Sequence, residues 1–259
     1  MRFGICTSPE NLSLVEQAGF DYIELTLNLV TALPDGEFAS LLRKVNASRI
    51  KVEAFNGFFP WSMRVVGPNA NQDAIRSYVR VALSRASQLG GKVTVVGNGG
   101  SRRMPEGYTR DTVVAQFSEV LSIIGDEAAR QGLVGAVEPL NVRETDFINS
   151  LSEGVAIVRA LHHPNIMLLA DFYHMRMDSE PITALSEAEG LLRHVHIANS
   201  HDRVFPVDAQ EDLYADFFEM LRRIGYDERV SIEGNVKNLA VEAPLALSVL
   251  KKVHFGANS

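Results

Sequence analysis

With 259 residues, 46% of them hydrophobic, the chain can bury a core the size of one large α/β domain. Its 25 basic and 32 acidic residues leave a formal charge of −7, which repels phosphate backbones and argues against a nucleic-acid partner. A single cysteine, Cys6, excludes an internal disulfide; with no signal-peptide core and no run of about 20 apolar residues, a cytoplasmic protein without a membrane partner is expected.

Short β-branched runs alternate with longer helical patterns eight times. Strands are predicted to begin near Phe3, Tyr22, Ile50, Val93, Val134, Ile166, His194 and Val230. Amphipathic segments lie between them at Asn11–Ala18, Glu37–Val45, Gln72–Leu89, Asp111–Arg130, Ser152–Leu161, Ile182–Leu192, Leu213–Ile224 and Val241–Val253. In the fourth, Val113, Val114, Phe117, Val120, Leu121 and Ile124 follow the spacing of one helix face. Glycines stand where helix C-caps belong, at Gly19, Gly90-Gly91, Gly132 and Gly225. Strict alternation argues for parallel strands with right-handed crossovers. Eight units in this length favour a closed (β/α)8 TIM barrel, one α/β domain spanning 1–259, and no G-x-G-x-x-G loop follows the first strand to support a doubly wound sheet.

In such a barrel catalytic residues gather where strands run into the following helices. Four consecutive strands end in residues that bind metals or move protons: Val134–Val137 delivers Glu138, Met167–Ala170 delivers Asp171, His194–Ile197 contains His196, and Val230–Ile232 delivers Glu233. Any one of these could be a core salt bridge; four at equivalent positions point to a site. Carboxylate oxygens with one imidazole suit a divalent cation, with manganese, magnesium or cobalt favoured and zinc also served. Strands five and eight face each other across roughly 10–13 Å of barrel mouth, so Glu138 and Glu233 can reach opposite faces of one bound carbon. One would remove a proton beside a carbonyl and the other return one, through an enediolate.

Other residues are candidates for substrate contact: Glu144 in the loop after strand five, His174 just past Asp171, Arg203 after strand seven, and Arg102 of the Arg102-Arg103 pair after strand four. Trp61, with Phe58 and Phe59, would form an apolar wall or lid. His194, two residues before His196 on the same face, reads as a hydrogen-bonded residue below the site.

Glu138-Pro139-Leu140-Asn141 with Glu144 and Phe147-Ile148-Asn149, Asp171-Phe172-Tyr173-His174, and His194-Val195-His196-Ile197-Ala198 resemble the xylose-isomerase-like barrel superfamily. Within it they are similar to the sugar isomerase/epimerase branch of D-tagatose and D-psicose 3-epimerases and hydroxypyruvate isomerase. The resemblance implies one divalent metal held by Glu138, Asp171, His196 and Glu233, with both glutamates also acting as acid and base. It further implies a small carbohydrate substrate met by Glu144, His174 and Arg203, and a homodimer or homotetramer. A sugar-derivative dehydratase or lyase would use the same metal site. An AP endonuclease of the endonuclease IV type needs histidines on early strands, yet none of the seven lies before His162. A non-catalytic sugar-binding protein would need no proton exchange.

Overall fold

The computed structural model describes residues 1–256. Its strands are β1 Arg2–Cys6, β2 Tyr22–Thr26, β3 Lys51–Asn56, β4 Val93–Val96, β5 Val134–Val137, β6 Ile166–Asp171, β7 Leu192–Ile197 and β8 Arg229–Ile232. They form a closed barrel in chain order, each parallel to the next. β8 closes the ring on β1, with Arg2 opposite Arg229 and Ile5 opposite Ile232. The helices are α1 Leu12–Ala18, α2 Leu27–Ala32, α3 Asp35–Ala47, α4 Gln72–Gln88, α5 Gly99–Arg102, α6 Arg110–Gln131, α7 Leu151–Leu161, α8 Phe172–Met177, α9 Tyr214–Arg223 and α10 Leu239–Phe255. The expected domain end at residue 259 lies outside the described residues.

Strands covered on both faces read as continuous apolar runs, and β4 shows it: all of Val93–Val96 is buried. The main core fills the shell between barrel and helices. On α6 it takes Val113, Phe117, Val120, Leu121 and Ile124, while Val114 is half-buried at its edge. Gly19, Gly90, Gly132 and Gly225 all adopt positive φ at helix ends, as the C-cap reading requires. Inside the barrel a small apolar cluster of Val93, Val95, Ala136 and Leu169 occupies the β4–β6 side. The β1, β2, β7 and β8 side is polar, with Tyr22, Glu24, His194, His196 and Ser231 all buried. Among the described residues no helix is long and apolar enough to cross a membrane.

The structure departs from the sequence reading between β6 and β7. The expected helix at Ile182–Leu192 is a 3-10 turn, Ile182–Ala188, and β7 begins at Leu192. Ile182, Leu185 and Ala188 recur every three residues, the period of a 3-10 helix. Three short helices also follow strands directly at the rim: α2, α5 and α8. The last is capped by Asp171, whose Oδ1 accepts hydrogen bonds from the backbone N–H of Tyr173 and His174 at 2.7 and 3.4 Å.

Candidate active site

The four strand-end residues converge. Glu138 follows β5, Asp171 ends β6, His196 is the penultimate residue of β7 and Glu233 follows β8. One ligand atom from each lies within 4.8 Å of the others. His196 Nδ1 is 3.3 Å from Glu138 Oε1 and 3.5 Å from Glu233 Oε2. Asp171 spends Oδ1 on capping α8, while Oδ2 is buried and makes no hydrogen bond, with His174 Nε2 at 3.5 Å and Arg203 Nη2 at 3.7 Å. A buried carboxylate oxygen without a donor needs a cation or ordered water. The set of three carboxylates and one imidazole therefore fits a divalent metal ion. Gly97, just past β4, makes room for the Glu138 carboxylate: a Cβ there would lie 1.7 Å from Glu138 Oε2.

Beneath the cluster, Glu24 of β2 accepts hydrogen bonds from both histidines of β7, at 2.7 Å from His194 Nε2 and 2.9 Å from His196 Nε2. His194 is thus the buried, hydrogen-bonded residue below the site that its position implied. Glu24 fixes the His196 ring so that Nδ1 faces Glu138 and Glu233, the arrangement that orients ligating histidines in metal sites. Burial pushes the Glu24 carboxyl up, but His196 and His194 outweigh it and hold it well below the usual carboxylate range. Burial likewise opposes charge on His196, yet Glu24 and Glu233 hold its pKa well above the ordinary histidine value. The two catalytic candidates are pulled apart. Burial raises Glu138, whereas for Glu233 burial is overcome by His196 and Arg203, which lower it strongly.

Rim residues complete the site. Arg203 donates from Nη2 to Glu233 Oε2 at 2.6 Å, lies 3.4 Å from Glu144 Oε1, and stacks 4.8 Å over Tyr173. Asp202 and Arg203 both take positive φ, and this turn, followed by the Val204–Asn235 bridge, carries the guanidinium back over the barrel. His174 Nδ1 accepts from the backbone N–H of Asn141, so its proton resides on Nε2, 3.5 Å from Asp171 Oδ2. Asn56 donates to Glu233 Oε1 at 2.6 Å. Trp61 is 76% exposed and stands over Gly100, where a Cβ would meet its ring at 2.5 Å. Glu138, Glu144, His174, Arg203, Glu233 and Trp61 together line a cleft of about 220 Å³.

Two expectations need correction. Arg102 does not reach the cleft: it is 1% exposed and donates to the backbone carbonyls of Val96 and Glu138 at 3.1 and 2.6 Å. Burial brings its pKa down to about 10, against the pull of Glu138. α5 begins with two glycines and turns this side chain inward, so the residue braces the ends of β4 and β5. Phe58 and Phe59 are buried under the loop against Tyr78, leaving Trp61 alone at the mouth. Sequence reasoning missed Glu24, Asn56 and Asn141. For Glu24 a signal existed: an acid between Ile23 and Leu25 in a strand of a fully covered barrel needs a buried partner.

Comparison with known proteins places this site in context. A 121-residue stretch is 34% identical to the 3-dehydro-D-guloside 4-epimerase of Escherichia coli K12, spanning 46% of this chain and 45% of that one. A putative hydroxypyruvate isomerase of Drosophila melanogaster is 25% identical over 242 residues, 90% of this chain and 88% of the other. Among solved structures, a D-psicose 3-epimerase crystallised in the presence of D-fructose superposes with a TM-score of 0.86 at 21% identity, covering 99% of this chain and 100% of that one. Residues 12–253 match the family described as xylose isomerase-like TIM barrel, and the chain belongs to that family.

Proposed function

We propose that the protein is a divalent-metal-dependent isomerase or epimerase of a sugar or sugar derivative, working by proton transfer beside a carbonyl. The observation that carries this reading is the convergence of Glu138 and Glu233, from the ends of β5 and β8, onto one cluster with Asp171 and His196. The names of the relatives support the same reaction class: each matched protein described above is an epimerase or an isomerase.

Glu138, Asp171, His196 and Glu233 would hold one cation, with manganese, magnesium or cobalt favoured by the oxygen-rich donor set. Bound there, it supplies positive charge beside the substrate oxygens on which negative charge develops. The chain's own groups do the rest. A C–H held between the glutamates loses its proton to one carboxylate and receives one from the other, inverting the carbon or moving the carbonyl. Arg203 and Asn56 hold Glu233 in place by hydrogen bonds to both its oxygens. His174 Nε2–H is free to donate to a substrate oxygen, and Glu144 offers an acceptor at the same rim. Trp61 covers the outer side of the cleft. By family analogy the protein works as a homodimer or homotetramer, and its one free cysteine suits a reducing, cytoplasmic setting.

Deuterium incorporation tests the reading. The metal-loaded protein is incubated in D₂O with ketoses, keto-acids and sugar phosphates, and C–H exchange is followed by NMR. Exchange on at least one class is expected, falling about 10²- to 10⁴-fold in Glu138→Gln and in Glu233→Gln. Undiminished exchange in both variants would remove the glutamates from the chemistry.

A further inference from the structure

Glu233 borders two cavities. Besides the catalytic cleft, a chamber of about 470 Å³ opens among the ends of β1, β2, β3 and β8 and the inner side of α2. Thr26, Asn56 and Glu233 line both, so the two spaces share a wall. The cleft, at about 220 Å³, falls below the roughly 300–1,000 Å³ of ordinary small-molecule sites, and the chamber falls within that range.

The chemistry of the walls differs. The cleft is lined by the carboxylates of Glu138, Glu144 and Glu233, the His174 imidazole and the Arg203 guanidinium. Leu25, Leu29, Val30, Leu33 and Leu41 form an apolar wall of the chamber, beside the hydroxyls of Thr7, Ser8 and Thr26, while its charged Glu10 is exposed to solvent. Leu29 is 66% exposed on α2, although its neighbours Leu27 and Val30 are buried in the core. Sugar hydroxyls placed against the four leucines and Val30 would lose water and gain no partners. An apolar substituent would gain by leaving water there. At the shared wall Asn56 Oδ1 is buried without a hydrogen-bond partner, while its amide is committed to Glu233. It is an acceptor for one hydroxyl at the point where a ligand would pass from cleft to chamber.

We infer that the substrate is a sugar derivative with an apolar aglycone, the sugar in the cleft and the aglycone in the chamber beside α2. The inference rests on the proton-transfer reading of Glu138 and Glu233. A sugar carries an oxygen on nearly every carbon, so the apolar group must be appended, and a glycosidic bond is the attachment that leaves the ring hydroxyls free. That bond locks the anomeric carbon as an acetal. The carbonyl that acidifies the reacting C–H must then be a ring ketone, and the substrate is a keto-glycoside. The class of reaction that supplies it is the oxidation of one ring hydroxyl of a glycoside. The isomerisation itself is redox-neutral: one C–H bond breaks, one forms, and the proton lost to one glutamate is matched by the proton delivered from the other.

Unreactive probes test the chamber directly. Binding of methyl, phenyl and n-hexyl β-D-glucopyranoside to the metal-loaded protein is measured by calorimetry. The phenyl and hexyl glycosides are expected to bind at least about tenfold more tightly than the methyl glycoside. In Leu29→Asn and Leu33→Asn that ratio should collapse toward one, with the circular dichroism spectrum unchanged. Equal affinities for the three glycosides in the wild type would overturn the inference, as would a ratio that ignores both variants. If Leu29→Asn instead dissociates an oligomer and no aglycone preference exists, a second copy covers the chamber and the inference falls. The two readings fail separately. Aglycone preference with no deuterium exchange on the ketoses, keto-acids and sugar phosphates, or on a ring-keto phenyl glycoside added to them, leaves the chamber and removes the proton transfer. Exchange on free ketoses with no aglycone preference does the reverse.

Discussion

Nε2 of His196 lies 2.9 Å from Oε1 of Glu24, a fully buried carboxylate on a strand that contributes nothing else to the cluster. The other oxygen of Glu24 is occupied by His194 at 2.7 Å. A glutamine at this position has one acceptor oxygen and cannot serve both imidazoles. Glu24→Gln is therefore expected to weaken metal binding by about 10- to 100-fold while leaving the four ligands intact. A manganese titration followed by electron paramagnetic resonance would show it; an unchanged affinity would mean that packing alone orients His196.

Gly97 is tested by adding one carbon. In Gly97→Ala the new Cβ would overlap Glu138 Oε2 and lie 2.9 Å from Glu138 Cδ, so the carboxylate must rotate away. Displacements of about 1 Å in a reacting group cost on the order of 10²-fold in rate. Turnover should fall by that order with little loss of thermal stability, since Gly97 does not need a positive φ. Wild-type turnover in the variant would show that Glu138 has a second productive position.

Arg102 supplies the opposite kind of prediction. Its guanidinium donates to the Glu138 carbonyl at 2.6 Å, and removing it leaves that buried acceptor bare. Arg102→Leu is expected to cost about 1–3 kcal/mol, seen as a fall in melting temperature of several degrees. Substrate KM should not change, because the side chain does not touch the cleft. A raised KM at unchanged stability would restore the substrate contact expected from the sequence.

Glu180 links stability to pH away from the site. Burial raises its pKa to about 6, although it accepts a hydrogen bond from the backbone N–H of Leu151 at 2.9 Å. The folded state thus holds this proton more tightly than the unfolded chain. The associated stability is present below pH 4.5 and lost as pH rises toward 6. Glu180→Gln lacks this loss, so its melting temperature should gain on wild type by an amount worth about 1–2 kcal/mol across that window. A difference that stays flat from pH 4.5 to 7 would refute the linkage.

The barrel and the four strand ends were legible because both follow from local pattern: apolar runs locate strands, and the residue ending each run falls at the rim. The rest of the site depends on information that spacing does not contain. Glu24 sits in an ordinary β-strand and acquires meaning only when β7 brings two histidines opposite it. Arg102 and Arg103 are neighbours in sequence, yet α5 buries one and leaves the other exposed. Arg203 stands seven residues past His196, and only two successive positive-φ residues return it to Glu233. α2 is only six residues long and begins immediately after β2, so Leu27–Ala32 did not stand out as an element of its own, and the chamber it walls was missed with it.

The pairing of β8 with β1 has a consequence for how the site comes into being. Arg2 and Arg229 meet across this seam, so the ring closes only when segments nearly the full chain apart have found each other. Glu233 lies immediately beyond the seam strand, and its two hydrogen-bond partners, Asn56 and Arg203, come from opposite sides of the closure. A nascent or partly unfolded chain can therefore present Glu138, Asp171 and His196 without Glu233, the fourth member of the cluster. On the proposed metal-dependent reading, tight metal binding would be a late event in folding, reserved for molecules whose barrel has shut.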